Sequence, residues 1–250
     1  MTSNVSILSS LAMGDFPNHF PLHIFSGLVI GVTGKAGSGK DTFALMLHKE
    51  IDKLTATAKI DIYARPLKEA YVAKYGSVLN FTYEDTHDYE WKKEVNPFTN
   101  TTHRQEFQFD GTEGTRTRTG NPNVWVQHLW LRNYRYAGVL LVPDTRFDNE
   151  VDFSKLAGFL IKVIRPAQAD IEHSNHASEV ITDDDKCDFL VYNSGTLDDL
   201  GGLAQALANY VFSESQKFAW WEDKKLSALE SIRQHRKLVA SHLDYAKYIP

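Results

Sequence analysis

The tightest constraint in this sequence is a glycine-rich turn set between two segments of different periodicity. Leu28-Val29-Ile30-Gly31-Val32 is a continuous apolar run of strand length, as expected for a strand buried on both faces of a parallel sheet. From Asp41 onward Phe43, Leu47, Ile51 and Leu54 recur at helical spacing and give one apolar face to lay against a sheet. Between them lies Gly34-Lys35-Ala36-Gly37-Ser38-Gly39-Lys40, a GxxxxGK pattern. A strand, such a turn and a helix in that order aim consecutive backbone N–H groups at one point, where glycines let a phosphate approach and the lysine reaches the β and γ oxygens. Gly34, Gly37, Ser38, Gly39 and Lys40 are therefore candidate ligands of ATP, with Lys40 also catalytic. Asp41 follows where the motif usually has a hydroxyl, and Thr42 comes next. Thr42 can reach Mg²⁺ directly or through water, while Asp41 suits the positive end of the helix dipole.

The same alternation continues along the chain. Strands are expected from Lys59 to Tyr63, over Val139-Leu140-Leu141-Val142, from Phe159 to Ile164 and over Phe189-Leu190-Val191-Tyr192. Helices are expected from Pro66 and from Thr196 to about Phe212, the latter with Asp198 and Asp199 near its start. Strands alternating with helices make an α/β chain with a parallel sheet, a P-loop NTPase fold. With 250 residues, 42% of them hydrophobic, one main core is expected over residues 27–212. Residues 1–26 read as an extension. The pattern fails over about 77–122, which reads as an insertion forming a lid over the active site. The tail from 213 to 250 offers Trp220, Trp221, Leu226, Leu229, Ile232 and Leu238 as the apolar face of a helix packed on the domain, or as a homodimer interface.

Transfer of a phosphoryl group to a second anionic substrate needs cations on loops that follow strands. Arg65 and Lys68 follow the second strand, and Arg116 and Arg118 alternate on a polar stretch closed by Gly120, a spacing suited to bidentate phosphate contacts. Val142-Pro143-Asp144-Thr145-Arg146-Phe147-Asp148-Asn149-Glu150 begins at the carboxyl end of an apolar strand, where open α/β sheets bind ligands. There Asp144 can orient an acceptor or hold Mg²⁺ through water, and Arg146 can stabilise charge on the transferring group. Arg165 repeats the strand-then-arginine arrangement and can lie against adenine or a phosphate. His173, His176 and Glu179 lack a ligand set for a metal and read as a capped loop.

The net charge of -5 and pI near 6.1 argue against a protein that coats nucleic acid. No apolar stretch is long enough to span a membrane, no secretion signal is visible, and Cys187, the single cysteine, has no partner for an internal disulfide. The chain reads as cytosolic, with nucleotides as its partners.

GKAGSGKDT, ARPLK, VPDTRFDNE, VIRP, HSNHASE and NSGTLDDL together resemble the deoxynucleoside monophosphate kinases of large tailed phages. The resemblance runs roughly from Gly27 to Leu207 and is most specific at VPDTR followed by Glu150. It implies an adenylate-kinase-like parallel sheet flanked by helices, with an inserted lid or acceptor-binding region, in a host cytoplasm if the chain is phage-encoded. It further implies Mg-ATP as donor and a deoxynucleoside 5'-monophosphate as acceptor. On this sequence Gly34 to Thr42 would hold the ATP phosphates. Lys68, Arg116, Arg118, Trp125, Asp144 and Glu150 would serve the acceptor, with Arg118 and Arg146 assisting transfer. Two other readings stay open: a kinase of another phosphorylated small molecule such as dephospho-coenzyme A, and an ATPase or switch acting on a protein partner.

Overall fold

The structure, a computed structural model, describes residues 27–55, 57–166 and 182–213. The N-terminal extension, the aromatic tail and the loop carrying His173, His176 and Glu179 lie outside the described residues. In chain order the main elements are β1 (Leu28–Thr33), α1 (Lys40–Thr55), β2 (Ala58–Ile60), α2 (Arg65–Tyr71), β3 (Val95–Asn96), β4 (Thr101–Thr102), α3 (His103–Phe109) and α4 (Val124–Asn133). They continue with β5 (Val139–Val142), α5 (Asp148–Ala157), β6 (Gly158–Ile164), β7 (Phe189–Tyr192) and α6 (Leu197–Ser213). The chain divides into two compact units, one being Ile62–Leu129 and the other including the described residues up to Asp61 and from Trp130 onward. The segment expected as an insertion falls within the first of these.

The second unit is built on a five-stranded sheet in the order β2-β5-β1-β6-β7, with every pairing parallel. Counting only its own strands, the order is 2-3-1-4-5, so the chain moves to one side of β1, then crosses to the other. The P-loop strand is therefore central and lies at the point of reversal, where open α/β sheets bind ligands. Helices cover both faces, which explains why β1, β5 and β6 are almost wholly buried rather than alternating. On one face Ile30, Val32, Leu141, Ile161 and Val163 meet Phe43, Leu47 and Ile51 of α1 and Leu200, Ala204, Ala208 and Phe212 of α6. Each large apolar side chain so buried contributes about 1.5–3 kcal/mol. Leu54 departs from the expected stripe and is 38% exposed in the last turn of α1. On the other face α5 lies close to β1: a Cβ on Gly31 would stand 2.5 Å from Ser154 Oγ.

β2 is shorter than expected and ends at Ile60; the Asp61 amide still donates to Leu141 O at 3.1 Å, while its side chain enters a polar cluster. Its buried carboxylate accepts from Arg132 Nε at 3.1 Å, Arg132 Nη2 at 3.3 Å and Asn133 Nδ2 at 2.8 Å. Lys59 Nζ in turn donates to Asn133 Oδ1 at 2.9 Å.

The Ile62–Leu129 unit has a different construction. α2 runs on through a π-helical turn, Val72–Gly76, to Ser77–Leu79, and α3 runs on through a longer one, Asp110–Thr117. β3 and β4 form a short antiparallel ribbon. Tyr71, Tyr75 and Phe81 make a small core with Trp91 and Phe107. Trp91 stacks on His103 with ring centroids 4.0 Å apart. Asn96 Nδ2 donates to Tyr71 Oη at 2.9 Å, which leaves the phenol proton for His103 Nδ1 at 2.6 Å. Burial lowers the His103 pKa and raises that of Tyr71, so both stay neutral.

Candidate active site

The turn after β1 has the backbone that its glycines permit. Gly34, Gly37 and Gly39 have φ of 147°, 79° and 90°, which L side chains rarely adopt. Space imposes the same choice: a Cβ on Gly34 would lie 2.4 Å from Val163 O, and one on Gly39 would lie 2.5 Å from Asn193 Nδ2. Ser38 N donates to Lys35 O at 3.1 Å and closes the turn, and Phe43 N donates to Gly39 O at 2.8 Å, the first hydrogen bonds of α1. The turn is braced from a residue distant in sequence, since Asn193, just after β7, donates through Nδ2 to Ser38 O at 2.9 Å. Ser38 Oγ is buried with no hydrogen-bond partner among the described residues, a donor that an oxyanion in the turn would satisfy. Lys40 is buried and its amino group lies 3.5 Å from the carboxylate of exposed Asp41. That ion pair is weak at the surface, so an incoming phosphate can replace it. Thr42 is exposed on the first turn of α1. A hydroxyl there and the half-buried carboxylate of Asp144 are hard oxygen donors of the kind Mg²⁺ takes.

Because β5 pairs directly with β1, with Gly31 opposite Val142, the loop bearing Asp144 and Arg146 leaves the carboxyl edge of the strand next to the P-loop strand. Thr145 is buried and donates to Val142 O at 3.0 Å, which turns the chain sharply after β5. Glu150, expected to serve the acceptor, also holds the loop in place. It is 2% exposed, and its carboxylate accepts from the backbone N–H groups of Arg146 at 2.8 Å and Phe147 at 3.1 Å. The side chain three residues into α5 thus reaches back to fix the loop, as acidic groups at helix starts do. Arg146 is half-buried, and Arg165 is exposed beyond the end of β6.

The remaining candidates belong to the Ile62–Leu129 unit. Lys68 is buried, with Nζ 3.2 Å from His87 Nδ1, while the Arg65 guanidinium lies over the Tyr83 ring, 5.7 Å from its centroid. Arg116 is buried at the end of the π-helical turn, whereas Arg118 and Gly120 are exposed, Gly120 with φ of 63°. Trp125 is 8% exposed and donates from Nε1 to Gly111 O at 2.8 Å, the geometry of a core anchor.

Two contributors escaped the sequence reading. Asn193 was visible only as part of the NSGTLDDL string, with nothing local to show that its amide reaches the turn. Lys162 lies buried on β6 opposite Thr33, and its amino group donates to Thr182 O and Asp184 Oδ1, both at 2.6 Å. A lysine inside an apolar strand was the available signal. The Cys187 thiol is pushed up to about 11 by burial, so it stays protonated and unreactive at neutral pH. Among the described residues no group of three His, Cys, Asp or Glu could hold a metal, and no helix is long and apolar enough to cross a membrane.

No protein-family model matches the chain, and no curated protein matches it. Among solved structures it is similar to a shikimate kinase from Acinetobacter baumannii in complex with shikimate, at 14% identity and a TM-score of 0.38, over 78% of this chain and 98% of that one. The fold assignment stands on the strand order and the glycine turn themselves.

Proposed function

We propose that this chain is a phosphotransferase that moves the γ-phosphoryl group of ATP to a deoxynucleoside 5'-monophosphate, giving ADP and the diphosphate. The observation that carries the reading is the turn from Gly34 to Lys40: three glycines with positive φ, a buried serine hydroxyl and a buried lysine, between the central strand of a 2-3-1-4-5 parallel sheet and an amphipathic helix. Such a turn is preorganised for the phosphates of a nucleotide. The cationic residues Arg65, Lys68, Arg116 and Arg118 support a second anionic substrate over hydrolysis, and the motif resemblance supports a deoxynucleotide.

The proposed reaction is in-line. An acceptor phosphate oxygen forms a bond to Pγ as the bond from Pγ to the β-bridging oxygen breaks, and ADP leaves. No covalent enzyme intermediate is required, so the protein contributes position and charge. The backbone N–H groups of the turn and Lys40 hold the β and γ oxygens. Arg146, its loop fixed by Glu150, offsets charge gathering on the transferring group, and Asp144 orients the acceptor. Mg²⁺, when bound through Thr42 and Asp144, supplies further neutralisation of the phosphate oxygens.

The test is ADP formation from Mg-ATP with each of the four deoxynucleoside monophosphates, their ribo counterparts and no acceptor. Stimulation by deoxynucleotides with diphosphate product is expected, and Lys40→Ala should lower turnover by about 10²–10³-fold. ADP release that ignores the acceptor would overturn the reading in favour of an ATPase or switch, and use of dephospho-coenzyme A alone would replace the acceptor.

A further inference from the structure

The glycines that let the turn after β1 approach a phosphate also leave its peptides free to flip. In a trans peptide the carbonyl oxygen and the amide hydrogen lie on opposite sides, so each peptide shows a given side either an acceptor or a donor. Rotation of the Ser38–Gly39 peptide changes mainly ψ of Ser38 and φ of Gly39. Gly39 has φ of 90°, and glycine takes φ of either sign at little cost. The flipped form would turn the Ser38 carbonyl toward a bound anion where the motif needs the Gly39 N–H.

One side chain opposes that rotation. Asn193 Nδ2 donates to Ser38 O at 2.9 Å. The same nitrogen packs against Gly39, where a Cβ would come within 2.5 Å of it, so the amide meets both residues of this peptide. A carbonyl only accepts, so the side chain must present a donor here, which a carboxylate cannot do. Asn193 is itself held on both sides. Its backbone N–H donates to Ile164 O at 2.7 Å, just past the last β6–β7 pair, Ile164 with Tyr192. Beyond it the start of α6 is capped: Asp199 accepts from Thr196 N at 2.8 Å and from Thr196 Oγ1 at 2.7 Å, and a Cβ on Gly195 would run into that carboxylate.

We propose that Asn193 is a positioning residue of the nucleotide site, which holds the Ser38–Gly39 peptide in the orientation that offers the Gly39 N–H to the phosphates of a nucleoside di- or triphosphate. The inference rests on the reading of Gly34 to Lys40 as a phosphate cradle and is independent of what the acceptor is. Without the amide the two orientations compete, and affinity falls by the fraction of chains in the donor-presenting one.

The test is calorimetric titration of the full-length chain with Mg-ADP and, to separate the cradle from the base, with inorganic tripolyphosphate. Asn193→Ala should weaken both by about 3–10-fold, the worth of one hydrogen bond. Asn193→Asp sets an oxygen against the carbonyl and should weaken both by more than about tenfold; being nearly isosteric, it also keeps the test open if the alanine variant fails to fold. In kinase assays the KM for ATP should rise by the same factors, with the KM for the acceptor and kcat at saturating ATP within about twofold. Asp199→Ala is the control, since it loosens the start of α6 and leaves the amide in place. It should lower the urea midpoint and leave ADP affinity within about twofold. Parental ADP affinity in Asn193→Asp overturns the inference, as does an equal loss in Asp199→Ala, which would trace the effect to a loosened turn. If the parent phosphorylates deoxynucleotides in either of those cases, the kinase reading survives. If the Asn193 variants lose affinity as expected and the parent phosphorylates no acceptor, the positioning role stands and the kinase reading falls.

Discussion

The sheet unit and the Ile62–Leu129 unit solve the problem of a core in different ways. Around β1 the buried side chains are Ile30, Val32, Leu141, Ile161 and Val163, which need only to be apolar and of the right volume. Around Tyr71 the buried groups include His103, Asn96 and Glu106, and each needs a partner at a given angle. Glu106, for example, accepts hydroxyl hydrogen bonds from Thr99 and, at 3.4 Å, from Thr101. The aliphatic core yields gradually to substitution, whereas the hydrogen-bonded one fails by single atoms.

Three experiments would break or sharpen that contrast. The largest effect is expected from Leu141→Ala, which leaves a cavity beside the central strand and should cost about 2–5 kcal/mol in urea unfolding. Its faster amide exchange should be confined to the strands and to α1 and α6; equal acceleration around Tyr71 would show that the two cores share one cooperative transition. Next comes Tyr71→Phe, which deletes one oxygen and strands both Asn96 Nδ2 and His103 Nδ1, at about 1–3 kcal/mol. A cost near zero would mean that the aromatic packing alone holds this unit. The smallest effect is in the pH profile. His103 has a lowered folded pKa, so the unfolded chain binds its proton first. Its contribution is therefore constant above about pH 6.5 and is lost as pH falls below that value toward the folded pKa. Asp110, whose carboxyl is raised by burial, acts with the opposite sign, its cost being relieved as pH falls through the raised value. Comparing urea midpoints at pH 7.5 and 5.5 for the parent and His103→Gln isolates the histidine; an equal drop in both would remove it from the account.

The contrast also explains what could be read in the sequence. Val139-Leu140-Leu141-Val142 shows its burial by an unbroken apolar run, and the observed strand has the expected bounds. The helix expected from Thr196 to about Phe212 is observed as Leu197–Ser213, with Asp199 accepting from Thr196 N at 2.8 Å at its start. The Tyr71 cluster is a different case. Tyr71, Tyr75, Phe81, Trp91, His103 and Phe107 follow no single period, because they come from α2, the π-helical turn after it, a loop, a 3-10 turn and α3, so a search for periodicity finds only a gap. Glu150 shows what a motif leaves out: VPDTRFDNE marks it as a site residue, and the coordinates add that its carboxylate accepts from the Arg146 and Phe147 amides.

The amide of Asn193 on the Ser38 carbonyl also has a consequence for biosynthesis. The two residues are 155 positions apart, so the turn that would grip ATP is made well before the residue that secures it. At 5–20 residues per second a ribosome needs roughly 8–30 s to travel that distance. Through this interval the glycine turn has no brace from β7, and chains released short of Asn193 should carry an intact nucleotide motif yet hold ATP poorly.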